Sequence, residues 1–359
     1  MHDFVVVGVG PPGAQFARRA AGAGHDVVAF ERGEVGRPLA CSGHVSRDLW
    51  SYLPAGDRER LLQNEVYGAR FHLGGPGSTA YRFHKDEPVS NVIHRVGLDR
   101  RLAALASEAG ADVREGHTVV DVEEGRDGVT VTVRGPDGTE TVEAKVVVGA
   151  DGPRSRVRRS LDLPAPDELL RGVLAFDQTA DGGDFVDVHL TVPTFFAWRI
   201  PRGDAGVEYG LAAPADHDVV GSFESFLADY DVTPSDTHAG AIPIGPPERV
   251  TSDRALLLGD AAGQTKPFTG GGILYGLTAA DLAAETVDPD DPATVSAYEE
   301  AWRAELGTDI RLGHLLRRGY SAPGPVQRVG LSLFAGEIGV HMDRPSSLFS
   351  LDQLRALFR

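Results

Sequence analysis

The 359-residue chain predicts an α/β fold in three parts: a parallel-sheet domain, an antiparallel β-sheet domain interleaved with it, and a helical C-terminal segment. Three observations predict it. Continuous apolar, largely β-branched runs at 4–7, 27–30, 146–148 and 255–258 read as strands buried on both faces. Between about 169 and 244, short strands alternate with Gly, Pro and Asp turns. After Ala293 the pattern turns helical and richer in arginine.

The elements follow in order. The strand at 4–7 runs into a Gly- and Pro-rich turn at 8–13. A helix is expected over 14–23, stopped by Gly24, and a second strand over 27–30. Strand, turn, helix and strand within one short stretch is the unit that makes parallel sheet. Residues 92–109 open at Ile93 and continue as a helix on Leu98, Leu102 and Leu105. Val113 and 119–122 read as strand. Residues 129–133 and 141–144 flank Pro136-Asp137-Gly138, a hairpin signal. The run 146–148 is a further strand, ending at Gly149-Ala150-Asp151-Gly152. Residues 186–192, 195–200 and 207–211 are short strands of the second sheet, which 68–83 is expected to join. After the strand at 255–258, Gly259-Asp260 leads to a helix over about 271–287, and residues 289–292 break it. The expected division is 1–64, 92–165 and 250–290 for the first domain, 65–91 and 166–249 for the second, and 291–359 for the helical segment.

Composition sets limits. The formal net charge of −17 argues against nucleic acid, whose phosphates need a basic face. Lysine occurs only at 85, 145 and 266, so arginine carries nearly all positive charge. Such an acidic surface suits a salt-rich cytoplasm, although a GC-rich genome also favours arginine. A single cysteine, Cys41, permits no internal disulfide and fits a reducing cytoplasm. The N-terminus carries no signal-peptide pattern, no apolar run is long enough to span a bilayer, and no metal site is expected.

The chemistry begins at Gly8-Val9-Gly10-Pro11-Pro12-Gly13, a G-x-G-x-x-G turn between strand and helix. Gly8 permits the tight turn, Gly10 lets the backbone approach a pyrophosphate, and Gly13 allows close helix packing. Glu31 ends the second strand, placed to accept hydrogen bonds from a ribose diol. This loop alone does not choose between FAD and NAD. Two later elements do: residues 147–158, containing Gly149-Ala150-Asp151-Gly152, and Leu257-Leu258-Gly259-Asp260-Ala261-Ala262-Gly263 followed by Gly270-Gly271-Gly272-Ile273. Together they resemble the flavoprotein hydroxylase superfamily over most of the first 290 residues. The resemblance implies a Rossmann-like FAD-binding domain, with Asp260 and Arg95 contacting the cofactor.

Within that superfamily, three features resemble the geranylgeranyl reductase family, which saturates isoprenoid double bonds. They are Cys41-Ser42-Gly43-His44 after Arg37-Pro38, Phe195-Phe196-Ala197-Trp198-Arg199-Ile200-Pro201, and Gly270-Gly271-Gly272-Ile273. The aromatic motif departs from the family at Phe196, where Tyr is usual, and at Ile200, where Phe is. The resemblance implies that Gly13 faces the pyrophosphate and Glu31 the ribose. It places Cys41, Ser42 and Gly43 near the isoalloxazine, Arg95 and Val119 by the adenosine and phosphates, and Asp260, Gly272 and Ile273 by the ribityl chain and ring. Cys41 is the candidate catalytic residue, against the plainer reading of a small buried hydrophobe. His44 reads more readily as a surface residue than as a proton relay. Phe196 and Trp198 share a strand face and are candidate substrate residues, or else core of the second sheet.

The expected activity is FAD-dependent reduction of geranylgeranyl chains on archaeal-type ether phospholipids, by proton addition plus hydride from reduced flavin. The alternatives are a flavin monooxygenase on an aromatic or apolar small molecule and, more distantly, a non-enzymatic flavin-binding protein. The electron donor is left open among ferredoxin, a reduced deazaflavin and NADPH. Arg303, Arg311, Arg317, Arg318 and Arg328 form a positive region beside an amphipathic stripe of Val326, Val329, Leu333 and Phe334. That stripe either packs on the flavin domain or makes a peripheral membrane contact that admits an anionic lipid.

Overall fold

The computed structural model describes residues 1–37, 41–234, 236–336 and 344–345. Pro38 and most of the C-terminal segment beyond Gly336 lie outside the described residues. Strand β1 (His2–Val7) leads through the glycine turn into helix α1 (Pro11–Gly22). The helix starts earlier than expected because prolines at its first positions lack only N–H groups that have no intrahelical partner there. Strand β2 (Val27–Phe30) follows. Next come β3 (His44–Ser46), a 3-10 turn at Arg47–Tyr52, the short α2 (Asp57–Leu61) and β4 (Leu62–Val66). Strands β5 (Gly68–His72) and β6 (Ala80–His84) precede β7 (Ser90–Ile93), which runs directly into α3 (Arg95–Glu108). Strands β8 (Asp112–Arg114), β9 (Thr118–Glu124), β10 (Val129–Gly135) and β11 (Gly138–Gly149) lead to α4 (Arg156–Ser160).

The second half holds β12 (Glu168–Asp177), β13 (Phe185–His189), β14 (Ala197–Pro201), β15 (Val207–Ala213), α5 (Val219–Asp229), β16 (Asp236–Ile244) and β17 (Ala255–Leu257). Three helices close the described chain: α6 (Ile273–Thr286), α7 (Ala293–Arg317) and α8 (Gly324–Phe334).

The first sheet has the order β8-β2-β1-β11-β10-β9, with β17 also on β11. Strand β11 is one continuous strand where two were expected. Its first half pairs antiparallel with β10, and its end pairs parallel with β17 on the same side. The second sheet has the order β16-β12-β15-β14-β13-β5-β6. It is antiparallel except at β5–β13, where residues 68–72 lie parallel to 185–189. A third sheet, β3-β7-β4, lies between β2 and α3 in sequence, and its strands β3 and β4 were not expected.

Helices α1, α3, α6 and α7 share the core of the first sheet, and α5 covers one face of the second. Helix α7 is anchored by Tyr298 and Trp302, both fully buried. Burying each such ring stabilises by roughly 2–3 kcal/mol. The Tyr298 hydroxyl also donates to Leu257 O (3.0 Å) and accepts from the Gln264 amide (2.8 Å), which fixes the loop after β17.

Candidate active site

The glycine turn is set by backbone contacts. Gly8 has φ of +93°, and a Cβ there would press on Ala150 C at 2.7 Å. A Cβ on Gly13 would overlap Gly8 O, so Gly13 keeps α1 against the turn and faces no cavity. Gly10 has nothing within 4 Å of its Cβ position and opens onto two joined cavities.

The smaller cavity, about 380 Å³, is lined by Gly8, Gly10, Glu31, Arg95 and Val119 among others. The Glu31 carboxylate accepts the Val9 N–H at 2.9 Å, which ties the end of β2 to the turn. The larger cavity, about 1500 Å³, shares Gly10, Arg32, Arg95 and Ala150 with the smaller one. It runs past Cys41, Ser42, Asp260, Gly272 and Ile273 to Phe196 and Trp198. Of the sequence-derived site residues, only Gly13 and Gly43 stand behind these cavities. Gly43 adopts φ of +69°, where a Cβ would meet Ile93 O at 2.5 Å, so the Cys41 turn can lie close on the end of β7.

Both cavities suit FAD. Arg95 Nε, Asp151 Oδ1 and Thr269 Oγ1 are buried on lining residues without a protein hydrogen-bond partner. Asp260 lines the larger cavity. Burial pushes its carboxyl up to about 6, and the charge of Arg95 offsets this only in part. Burial alone would lower Arg95, but Asp99 and then Cys41 hold its guanidinium above the ordinary value. An acceptor-only carboxylate, open glycine backbone and a fixed cation match the hydroxyls, ring edge and phosphates of the cofactor.

The far end of the large cavity is apolar and aromatic. Phe195 and Phe196 stack at 4.3 Å, and Phe196 meets Trp198 edge-on at 5.9 Å. These rings belong to the core of the second sheet and also line the cavity. Phe71, Val186 and Val188 continue the wall from β5 and β13.

Two lining residues, Lys266 and Tyr320, have no site role in the sequence, and a third, His44, reads there as a surface residue. His44 is half-buried, bonded to Ser90 Oγ at 2.7 Å, and lines the large cavity; it is not a surface residue. Lys266 is 4% exposed and lies against Gly271. Its place among the three lysines of an arginine-rich chain was the available signal. Tyr320 follows α7, meets Phe196 edge-on at 5.6 Å and donates to Phe268 O at 2.7 Å. No motif marks it.

Arg317 also differs from expectation. It is buried, bonded to both carboxylate oxygens of Glu168 and to Thr194 O, and therefore holds the cavity roof instead of facing lipid headgroups. Helix α8 has no buried residue; Leu331 lines the cavity while Val326, Val329 and Leu333 are exposed. It therefore does not pack as a core helix. Among the described residues, no helix is long and apolar enough to cross a membrane.

Comparison with known proteins agrees with this geometry. The family described as FAD binding domain matches residues 1–171. Digeranylgeranylglycerophospholipid reductase 2 of Methanothermobacter thermautotrophicus is 30% identical over 86% of this chain and 85% of its own length. Digeranylgeranylglycerophospholipid reductase of Methanothrix thermoacetophila is 31% identical over 86% of this chain and 84% of its own. The crystal structure of a geranylgeranyl bacteriochlorophyll reductase-like protein from Thermoplasma acidophilum shares the fold, with a TM-score of 0.85, 22% identity and 99% of both chains covered. The cofactor is FAD, and the chain belongs to the digeranylgeranylglycerophospholipid reductase family of flavoproteins.

Proposed function

We propose that this protein saturates C=C bonds of geranylgeranyl chains on an archaeal-type ether glycerophospholipid. The observation that carries the reading is the continuity of one cavity from Asp260 and Gly272 to the Phe196–Trp198 wall. The names of the relatives point the same way. In this reading residues 1–64, 92–165 and 250–290 hold FAD, and residues 65–91 and 166–249 hold the lipid chain.

Reduced FAD, when bound, supplies hydride. An alkene bearing three alkyl groups is not electrophilic, so a proton must add with or before that hydride, and positive character develops at the tertiary carbon. Phe196, Trp198 and Tyr320 offer π faces to that carbon and exclude water from it. Cys41 is the proton donor in this reading, held beside the Arg95 guanidinium. Gly8, Gly10 and Gly13 shape the pyrophosphate turn, and Glu31, Arg95 and Val119 flank the adenosine side. Ser42, Asp260, Gly272 and Ile273 would hold the ring and ribityl chain, with Gly43 behind them letting the Cys41 turn lie close on β7.

The test is anaerobic. Holoprotein is reduced chemically, which bypasses the donor, whether ferredoxin, deazaflavin or NADPH. Geranylgeranylated glycerophospholipid should then restore the oxidised flavin absorbance, and the fully saturated lipid should not. Equal reoxidation with both lipids would sink the proposal.

Helix α8 is, in the same reading, a peripheral membrane contact, with Val326, Val329 and Leu333 against the lipid and Arg318 and Arg328 exposed nearby. Leu333→Asp should lower co-sedimentation with anionic liposomes, and an unchanged bound fraction contradicts the contact. The net charge of −17 fits a salt-rich cytoplasm, so the melting temperature should rise with added KCl; a fall contradicts that setting.

A further inference from the structure

A buried ion pair joins the flavin side of the cavity to its substrate wall. Arg202 is 6% exposed and Glu208 fully buried, both on the β14–β15 hairpin. Arg202 Nη1 donates to Glu208 Oε2 at 2.9 Å and to Ser42 O at 2.6 Å, while Nη2 donates to Gln63 Oε1 at 2.6 Å. The other carboxylate oxygen, Glu208 Oε1, accepts the Trp198 indole N–H at 2.9 Å. The chain of bonds thus runs from the Cys41–Gly43 turn through Arg202 and Glu208 to Trp198.

Nothing about stability requires this arrangement. Taking two charges out of water costs more than packing apolar groups of like volume, so such a pair is better explained by what it fixes. It fixes two things. The planar fork of Arg202 holds the Ser42 carbonyl relative to β4 through Gln63. The carboxylate of Glu208 sets the indole plane, which lies over Gly210, where a Cβ would collide with the ring.

We infer that Arg202 and Glu208 are positioning residues that set the Cys41–Gly43 turn and the Trp198 wall at one separation, so that a bound alkene meets the flavin in register. This rests on the function proposed above. A displacement of about 1 Å at such a site costs about a hundredfold in rate, so a variant that only loosens this contact is expected to lose about tenfold.

The test uses holoprotein and two readouts. Visible circular dichroism of the bound flavin is recorded without lipid, and anaerobic steady-state kinetics are then measured with geranylgeranylated glycerophospholipid and excess chemical reductant. Arg202→Lys keeps the charge but loses the fork, and should change the flavin band and lower kcat about tenfold with KM within about twofold. Trp198→Phe removes the indole N–H bond to Glu208 together with part of the ring that lines the cavity, and should lower kcat similarly while leaving the flavin band as in the wild type. If Arg202→Lys does not fold, the isosteric Glu208→Gln takes its place, since Arg202 and Trp198 donate to different oxygens of Glu208 and the amide would turn its NH2 donor toward one of them. A wild-type flavin band in the folded Arg202 or Glu208 variant overturns the inference, as does wild-type kcat in Trp198→Phe. A changed band in a protein whose wild type reduces no lipid would leave the pair positioning the flavin turn and remove the proposed function instead.

Discussion

Two glycines of the first turn do different work, and a methyl group separates them. Gly10 has φ of −67°, which any residue accepts, and open space at its Cβ position. Gly10→Ala should leave the FAD-free fold within about 1 kcal/mol of wild type yet weaken FAD at least about tenfold, because the new methyl stands where the pyrophosphate approaches. Gly13→Ala should instead destabilise the fold by about 1–3 kcal/mol, through overlap with Gly8 O. Thermal melts and FAD titration separate the two; equal FAD affinity in Gly10→Ala would contradict the placement. Asp260 gives a pH-dependent prediction. Its folded carboxyl, pushed up to about 6 by burial against the pull of Arg95, accepts ribityl hydroxyls best when ionised. FAD affinity should therefore rise with pH through about 6 and level off above, and Asp260→Asn should flatten that rise. A wild-type affinity independent of pH would contradict it. At this scale the sequence was informative wherever a residue type was forced by backbone geometry or charge, as at Gly8, Glu31 and Asp260. Tyr320 and the Arg202–Glu208 pair were not legible, because their partners come from distant strands and follow no local spacing.

Among the elements, the C-terminal roof is where local pattern and tertiary setting diverge. The stripe Val326, Val329 and Leu333 was visible, but its periodicity could not say whether it faces a core or solvent. The arginine run likewise concealed two roles: Arg317 is an internal clamp on Glu168, while Arg318 and Arg328 are exposed. Arg317→Ala should leave Glu168 without its partner and loosen the roof that carries Leu316 and Tyr320. Limited proteolysis near residues 317–324 should accelerate while FAD affinity stays near wild type; unchanged cleavage contradicts a clamp. The buried strands were legible because continuous β-branched runs have few other uses. Strands β3 and β4 were not, since His44–Ser46 is only three residues long and Leu62–Val66 carries three successive polar residues between its apolar ends. The predicted break in β11 had a similar origin: Lys145 interrupts the apolar run but pairs with Asp3 near the start of β1, and the strand carries on through it.

For the molecule as a whole, the face of the second sheet away from the cavity sets its tolerance of acid. His72 and His189 stack there at 4.5 Å, both nearly fully buried. Burial lowers His189, so below about 6.5 the unfolded chain takes up a proton that the folded one resists, and stability falls as pH falls. Asp187 adds the same sign at lower pH: burial would raise it, but His72 and Arg70 hold its carboxyl below the ordinary value, and that stabilisation disappears on protonation. The loss of melting temperature between about pH 7 and 5 should therefore be smaller in His189→Gln than in the wild type, a comparison in which the buried acids that burial raises, Asp260 and Glu208 among them, cancel; parallel profiles contradict it. The joined cavities beneath the other face carry the central claim, that one protein holds FAD and an isoprenoid chain in contact. Mass spectrometry of geranylgeranylated glycerophospholipid, after anaerobic incubation with the chemically reduced holoprotein, tests it most directly. Lipid heavier by one H2 for each double bond reduced, in proportion to the flavin reoxidised, is the expected result. Lipid of unchanged mass beside reoxidised flavin would contradict it.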